Sequence, residues 1–117
     1  MAHKFKELQI WKRGRLFCSK IYDLISRFSD SEKFGVTNQL RSVSFSIPSN
    51  IAEGSSRNSN KDFARFFQIA TGSAYKTETQ LLISAGLAFL TQDELKSSLS
   101  KLDEIIKMIS KFKSTLI

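Results

Sequence analysis

The sequence predicts an all-α fold: an antiparallel up-down-up-down four-helix bundle, forming one domain over residues 1–117. Three observations predict it. Apolar residues recur at alternating steps of three and four in four separate segments, the period of an amphipathic helix. No segment shows the period of two that a half-buried strand requires. The chain has five glycines and one proline, so turn chemistry is scarce and the elements are long, joined by short loops.

The first helix is expected over about residues 5–28. Leu8, Trp11, Cys18, Tyr22 and Ile25 make one apolar stripe, and Ile10, Phe17, Ile21, Leu24 and Phe28 make a second beside it. Together they cover a wider arc than one bundle seam needs, which predicts burial against another subunit. Ser29-Asp30-Ser31-Glu32 is a loop of helix-capping residues. The second helix, about 33–53, places Val36, Leu40, Val43, Ile47 and Ile51 on one face. That register runs on through Pro48, so the proline is expected to kink the helix without ending it. An interior proline removes one amide donor and pushes away the carbonyl four residues back, here that of Ser44, at a cost of about 3 kcal/mol. Ser44, Ser46 and Ser49 are the local candidates to satisfy the freed backbone, and Gly54 the candidate left-handed residue that stops the helix. The alternative is a break at Ile47, because a residue before proline is biased away from helix.

Residues 55–58 form the next loop. Ser59-Asn60-Lys61-Asp62 resembles a capping box with Asp in place of Glu and opens the third helix, about 60–90. Its face is Phe63, Phe66 or Phe67, Ala70, Ala74, Thr77, Leu81, Ala85 and Ala88. Thr91 to Glu94 is a cleaner capping box for the fourth helix, about 92–114. There Leu95, Leu99, Leu102, Ile106, Ile109, Phe112 and Leu116 form the core stripe, and Asp103 pairs with Lys107 one turn on.

Composition bounds the function. The single cysteine, Cys18, excludes an internal disulfide, argues for a reducing compartment, and is expected as a small buried apolar group. One cysteine and one histidine, His3, cannot build a transition-metal site or a Cys–His catalytic pair within one subunit. No apolar run approaches the roughly 18 residues of a membrane helix, and the first residues lack a signal-peptide core. A cytoplasmic protein with no membrane association is expected. The net charge of +7 and a pI near 9.8 favour a polyanionic partner, most simply nucleic acid.

Three stretches carry a family resemblance: "FKELQIWKRG", "EKFGVTNQLRSVSFSIPSNIAEG" and "FFQIATGSAYKTETQLLISAGLAFL". They resemble the bacterial four-helix bundle proteins encoded by intervening sequences in 23S ribosomal RNA genes, over nearly the whole chain. The most specific part is Gln39-Leu40-Arg41 followed by Ser46 to Gly54. The resemblance implies a homo-oligomer, a pentamer with a central pore. It also implies a relation to the accessory variability proteins of diversity-generating retroelements, basic pentamers that associate with a reverse transcriptase and bind nucleic acid. The chain departs from the family pattern at Ser42, where a second arginine is common, and at Thr71 and Lys76.

Candidate binding residues follow from charge placement. Lys6, Arg13, Lys20 and Arg27 recur every seven residues, so on one helix they align along one edge. Lys12 and Arg15 broaden the stripe. Such a row, with cations about 10 Å apart, tracks a phosphate backbone or is a solvated face whose stems cover apolar surface. Arg57, Lys61 and Arg65 form a second group around a serine-rich loop, a candidate anion seat or simply a polar loop. Arg41 joins them as the arginine of the family motif. Pro48, Asn50, Glu53 and Gly54 are assigned structural roles, with Gln39, Asn50 and Glu53 as a polar cluster near the proline. No Glu-x-x-His pair or activated nucleophile is present, so neither catalytic residues nor a cofactor is expected. The expected function is a non-enzymatic basic homo-oligomer that binds RNA or DNA through phosphate contacts, accessory to a nucleic-acid-processing protein. The alternative is an oligomeric scaffold for a protein partner.

Overall fold

The computed structural model describes residues 3–32 and 35–116 of the 117-residue chain. Four helices make the fold: α1 (Gln9–Ile25), α2 (Val36–Ser55), α3 (Asn60–Gly86) and α4 (Gln92–Ser114), with short 3-10 turns at Phe5–Glu7 and Asp30–Glu32. No strand occurs among the described residues. The bundle measures 45 × 23 × 20 Å. Its core is built by Ile21, Leu40, Ile47, Ile51, Phe63, Phe67, Leu81, Leu102 and Ile109, all essentially inaccessible to water.

Packing at the two ends fixes which termini meet. At one end His3 donates its amide to the Ser55 carbonyl (2.9 Å) and lays its ring against Phe63 and Phe112. Phe63 stacks on Phe67 at 4.6 Å, and Phe112 leans on both. The start of the chain, the end of α2, the start of α3 and the end of α4 therefore share that end. At the other, Phe28 packs on Phe89 at 5.5 Å, bringing together the end of α1 and the loop into α4.

The boundaries differ from the sequence expectation at the first and third helices. The first helix is interrupted: Leu8 is extended (φ −76°, ψ 126°) and separates the turn at Phe5–Glu7 from α1. Phe5 folds back edge-on to Trp11 at 5.1 Å, so the chain bends there to cover the helix it precedes. Lys33 and Phe34, in the expected first turn of the second helix, lie outside the described residues. The third helix stops at Gly86, not near Leu90. Ala88 takes the left-handed conformation (φ 65°), while Ala88 N donates to Ala85 O and Phe89 N to Ser84 O. That is the paired-bond helix terminus usually closed by glycine. Two of the three capping stretches cap as expected, while residues 29–32 lead into a 3-10 turn and α2 starts from Gly35 without a side-chain cap. The Ser59 hydroxyl accepts from Asp62 N, and Thr91 and Glu94 exchange both bonds of a capping box.

Around Pro48, α2 is one continuous helix through Ser55, without the alternative break at Ile47. The orphaned Ser44 carbonyl is served from a neighbouring helix: the Cys18 thiol of α1 donates to it at 3.1 Å. Ser49 and Asn50 instead donate to the Phe45 and Ser46 carbonyls, both at 2.8 Å. Gly14 of α1 sits on the proline ring, where an added Cβ would come within 3.3 Å of Pro48 Cβ. Proline and glycine thus form one steric joint between α1 and α2.

Gly54 corrects an expectation. No glycine among the described residues has positive φ, and Gly54 lies inside α2. The helix ends by tightening, with Ser56 N donating to Glu53 O and Arg57 N to Gly54 O. Glycine is needed there for proximity: a Cβ at position 54 would lie 2.7 Å from Phe66 Cβ and 2.9 Å from Phe63 Cδ1. The closest atom belongs to a Cβ fixed to backbone, so it cannot swing aside.

Candidate nucleic-acid interface

The cations expected in one row are divided by the fold. Lys6 lies on the 3-10 turn before extended Leu8, so it falls out of the seven-residue register of α1. Arg13, Lys20 and Arg27 do share a face, and it is the face against α4. Arg13 pairs with Glu104, Arg27 with Glu94 at 2.7 Å, and Lys20 Nζ donates to the Ser97 hydroxyl at 3.4 Å. This is the sparsest of the four helix seams. A shallow hollow of about 230 Å³ opens there over Phe17 and Ile105, rimmed by Arg13, Lys20, Lys101 and Glu104. The row is therefore partly neutralised by carboxylates of α4.

Lys12 and Arg15 are exposed on other parts of α1, and neither has an ion-pair partner among the described residues. Arg15 holds its guanidinium 5.8 Å from the Trp11 ring centre. Arg41 is half-buried and donates to Asn38 Oδ1 at 3.1 Å. At the α2–α3 corner, Arg57 and Arg65 both face the Phe66 ring, at 4.6 and 4.9 Å. Glu53 holds Arg57 at 2.7 Å, and Asp62 approaches Arg65 at 3.7 Å. Exposed Lys61 stands one turn before Arg65. The loop amides of Ser56 and Arg57 are taken up by the end of α2, and that of Asp62 by the Ser59 hydroxyl. The cluster expected from Gln39, Asn50 and Glu53 does not form. Asn50 bonds Ser46, whose hydroxyl lies 2.8 Å from that of Ser73, while Glu53 turns outward to Arg57.

What the fold concentrates is charge at one end. The half of the bundle around the Phe63–Phe112 cluster comprises residues 3–17, 46–73 and 103–116. It carries eleven Lys and Arg against five Asp and Glu, while the rest of the chain has seven against six. Six of the seven net positive charges therefore sit in that half. Cys18 is not part of a reactive site. Burial pushes its thiol up to about 12, only partly countered by the bond to Ser44. Among the described residues no group of three or more His, Cys, Asp or Glu is placed to hold a metal ion. No helix there is long and apolar enough to cross a membrane.

Sequence reasoning missed the Cys18–Ser44 bond, although the proline signalled that the Ser44 carbonyl needed a donor. Within one chain the wide apolar arc on α1 is covered only in part. Tyr22 remains 53% exposed, and Phe45 of α2 is 41% exposed beside it.

The fold and its charge define a class: a small all-α bundle with one basic end. Residues 6–111 match the family described as 23S rRNA-intervening sequence protein, and the chain belongs to that family. It is similar to a protein of unknown function from the S23 ribosomal protein family of Bacteroides thetaiotaomicron. That likeness has a TM-score of 0.83 and 24% identity over 89% of this chain and 97% of the other, and it bears on the fold alone. Comparison with functionally curated proteins gives no match.

Proposed function

We propose that the chain is a non-enzymatic basic bundle that self-associates and binds RNA or DNA through phosphate contacts. The observation that carries this reading is the concentration of six net charges in one half of the molecule. A clustered positive surface attracts a polyanion by releasing its counterions, so affinity falls steeply with salt and depends little on base sequence. Lys12, Arg15 and Lys61, none with an ion-pair partner among the described residues, meet the phosphates, and Lys6 extends the surface. Arg57 and Arg65, already held by Glu53 and Asp62, add less. Arg13, Lys20 and Arg27 contribute less because α4 already engages them. Self-association uses the outer face of α3, where Ile69, Tyr75, Leu82 and Ile83 are exposed together with Leu87 just past its end, an unusual run of large apolar groups for a water-facing surface. A pentamer is the size the family resemblance implies, and an accessory role to a protein such as a reverse transcriptase is its extension.

Fluorescence anisotropy with labelled structured RNA and duplex DNA, at low and physiological salt, tests the reading. Replacing Lys12, Arg15, Arg57 and Lys61 with glutamine should flatten the salt dependence by about one unit of slope for each phosphate no longer neutralised. Absence of saturable binding at low salt would overturn it.

A further inference from the structure

The groove between α1 and α2 has a different character from the rest of the basic surface. Two adjoining hollows of about 300 and 360 Å³ share Arg15, Cys18 and Phe45. Each reaches the lower end of the range for small-ligand sites. One is walled by Trp11 and the other by Tyr22, which lie eleven residues apart, about 16 Å along the helix. The floor is apolar, the Ser19 and Ser49 hydroxyls at the rim turn back onto the Arg15 and Phe45 carbonyls, and Arg15 is the one charged residue in the lining. Arg41 lies one turn before Phe45 on α2 and adds a second cation to that edge.

We propose that this groove seats unpaired nucleobases of single-stranded RNA or DNA, with Tyr22, Phe45 and Trp11 as stacking surfaces and Arg15 and Arg41 meeting the flanking phosphates. This rests on the nucleic-acid reading above and names the form of nucleic acid that the groove selects. Aromatic faces beside cations are the usual means of holding single strands, since every base has a face to stack. Charge argues against a second copy as the occupant. No carboxylate lines either hollow, and the exposed apolar face of α3 carries Lys76, which would bring like charge towards Arg15.

Trp11 is the only tryptophan, so its emission reports directly on the groove. The full chain is titrated with unlabelled 12-nucleotide oligo-U, oligo-dT and a 12-base-pair duplex. Saturable quenching by the single strands but not by the duplex is expected, and comparison of oligo-U with oligo-dT assigns the sugar. Tyr22→Ala and Phe45→Ala, at exposed positions, should each weaken single-strand binding about tenfold and leave duplex affinity unchanged. If both ligand forms bind equally, with no quenching and no effect of either variant, the groove proposal fails while phosphate binding stands. If neither binds at low salt, both fail. If Trp11 emission changes with protein concentration alone, and Tyr22→Ala abolishes the change, the groove belongs to a second copy and the proposal is overturned.

Discussion

Against α2, helix α1 sets a glycine on a proline ring and a thiol on an orphaned carbonyl; against α4, it lays arginines beside glutamates over a shallow hollow. The first seam is short-range and steric, so its geometry admits few alternatives. The second is long-range and solvated. Its ion pairs are half-exposed, and such pairs are worth about 0–1 kcal/mol each. One helix thus carries its structural specificity on one side and adjustable charge on the other. Cations engaged by α4 are also less available to phosphates, which is why the fold moves the candidate interface from the seven-residue row towards Lys12, Arg15 and Lys61.

The largest effect should come from breaking the steric joint. Gly14→Val places branches beyond a Cβ that would already lie 3.3 Å from Pro48 Cβ. Overpacking of this kind costs about 1–3 kcal/mol, visible in thermal unfolding as a loss of roughly 4 °C or more per kcal/mol. An unchanged melting temperature would mean that the joint yields freely.

The thiol comes next. Cys18→Ala should cost about 1–3 kcal/mol by leaving the Ser44 carbonyl without a donor. In a Pro48→Ala background, residue 48 regains an amide for that carbonyl, and the same substitution should then cost under about 1 kcal/mol. Equal costs in the two backgrounds would reduce Cys18 to packing alone. The thiol also predicts alkaline sensitivity. Its folded-state value, about 12, lies above the ordinary 9.0, so between the two the folded state binds more protons than the unfolded state. Its contribution is whole below about pH 9 and declines as pH rises towards 12. Denaturant midpoints measured across that window should fall for the wild type and fall less for Cys18→Ala.

On the α4 side the effects are smaller. Arg13→Gln and Arg27→Gln should each change stability by under about 1 kcal/mol, less at high salt. They should also lower nucleic-acid affinity less than Lys12→Gln and Arg15→Gln do. The reverse ranking in anisotropy titrations would restore the seven-residue row as the interface. The smallest effect concerns Glu94. The Thr91 amide, with Arg27 beside it, holds its carboxyl below the ordinary 4.5. A lowered folded-state value makes its contribution whole above that pH and lost as pH falls through the folded value. Glu94→Gln should remove this shallow acid-side slope while keeping much of the cap, since glutamine also serves there.

Much of the bundle was legible because helix periodicity, capping boxes and polar loops are local. The Thr91–Glu94 box marked the start of α4 to the residue, and the stripe Ile10, Phe17, Ile21, Leu24, Phe28 is buried as the spacing implied. Where a helix ends against other elements, local signals failed. Gly54 looked like a terminator because glycine usually is one, but its role is set by two phenylalanines of α3 that only the folded chain brings there. Ala88 shows the converse, a left-handed terminus without glycine. The candidate binding residues were legible as types and counts, not as a surface. Seven-residue spacing says that Arg13, Lys20 and Arg27 share a face, but not that Glu94 and Glu104 of another helix occupy it.

The sequence by itself determined the all-α class, the four helices, the family and the net positive charge, since each depends on residue identity and on spacing within one segment. Tertiary structure alone decided which cations are paired, which carbonyl the thiol serves, and that most of the excess charge gathers at one end. Those depend on distances between segments far apart in the chain, and such distances exist only once the helices have packed.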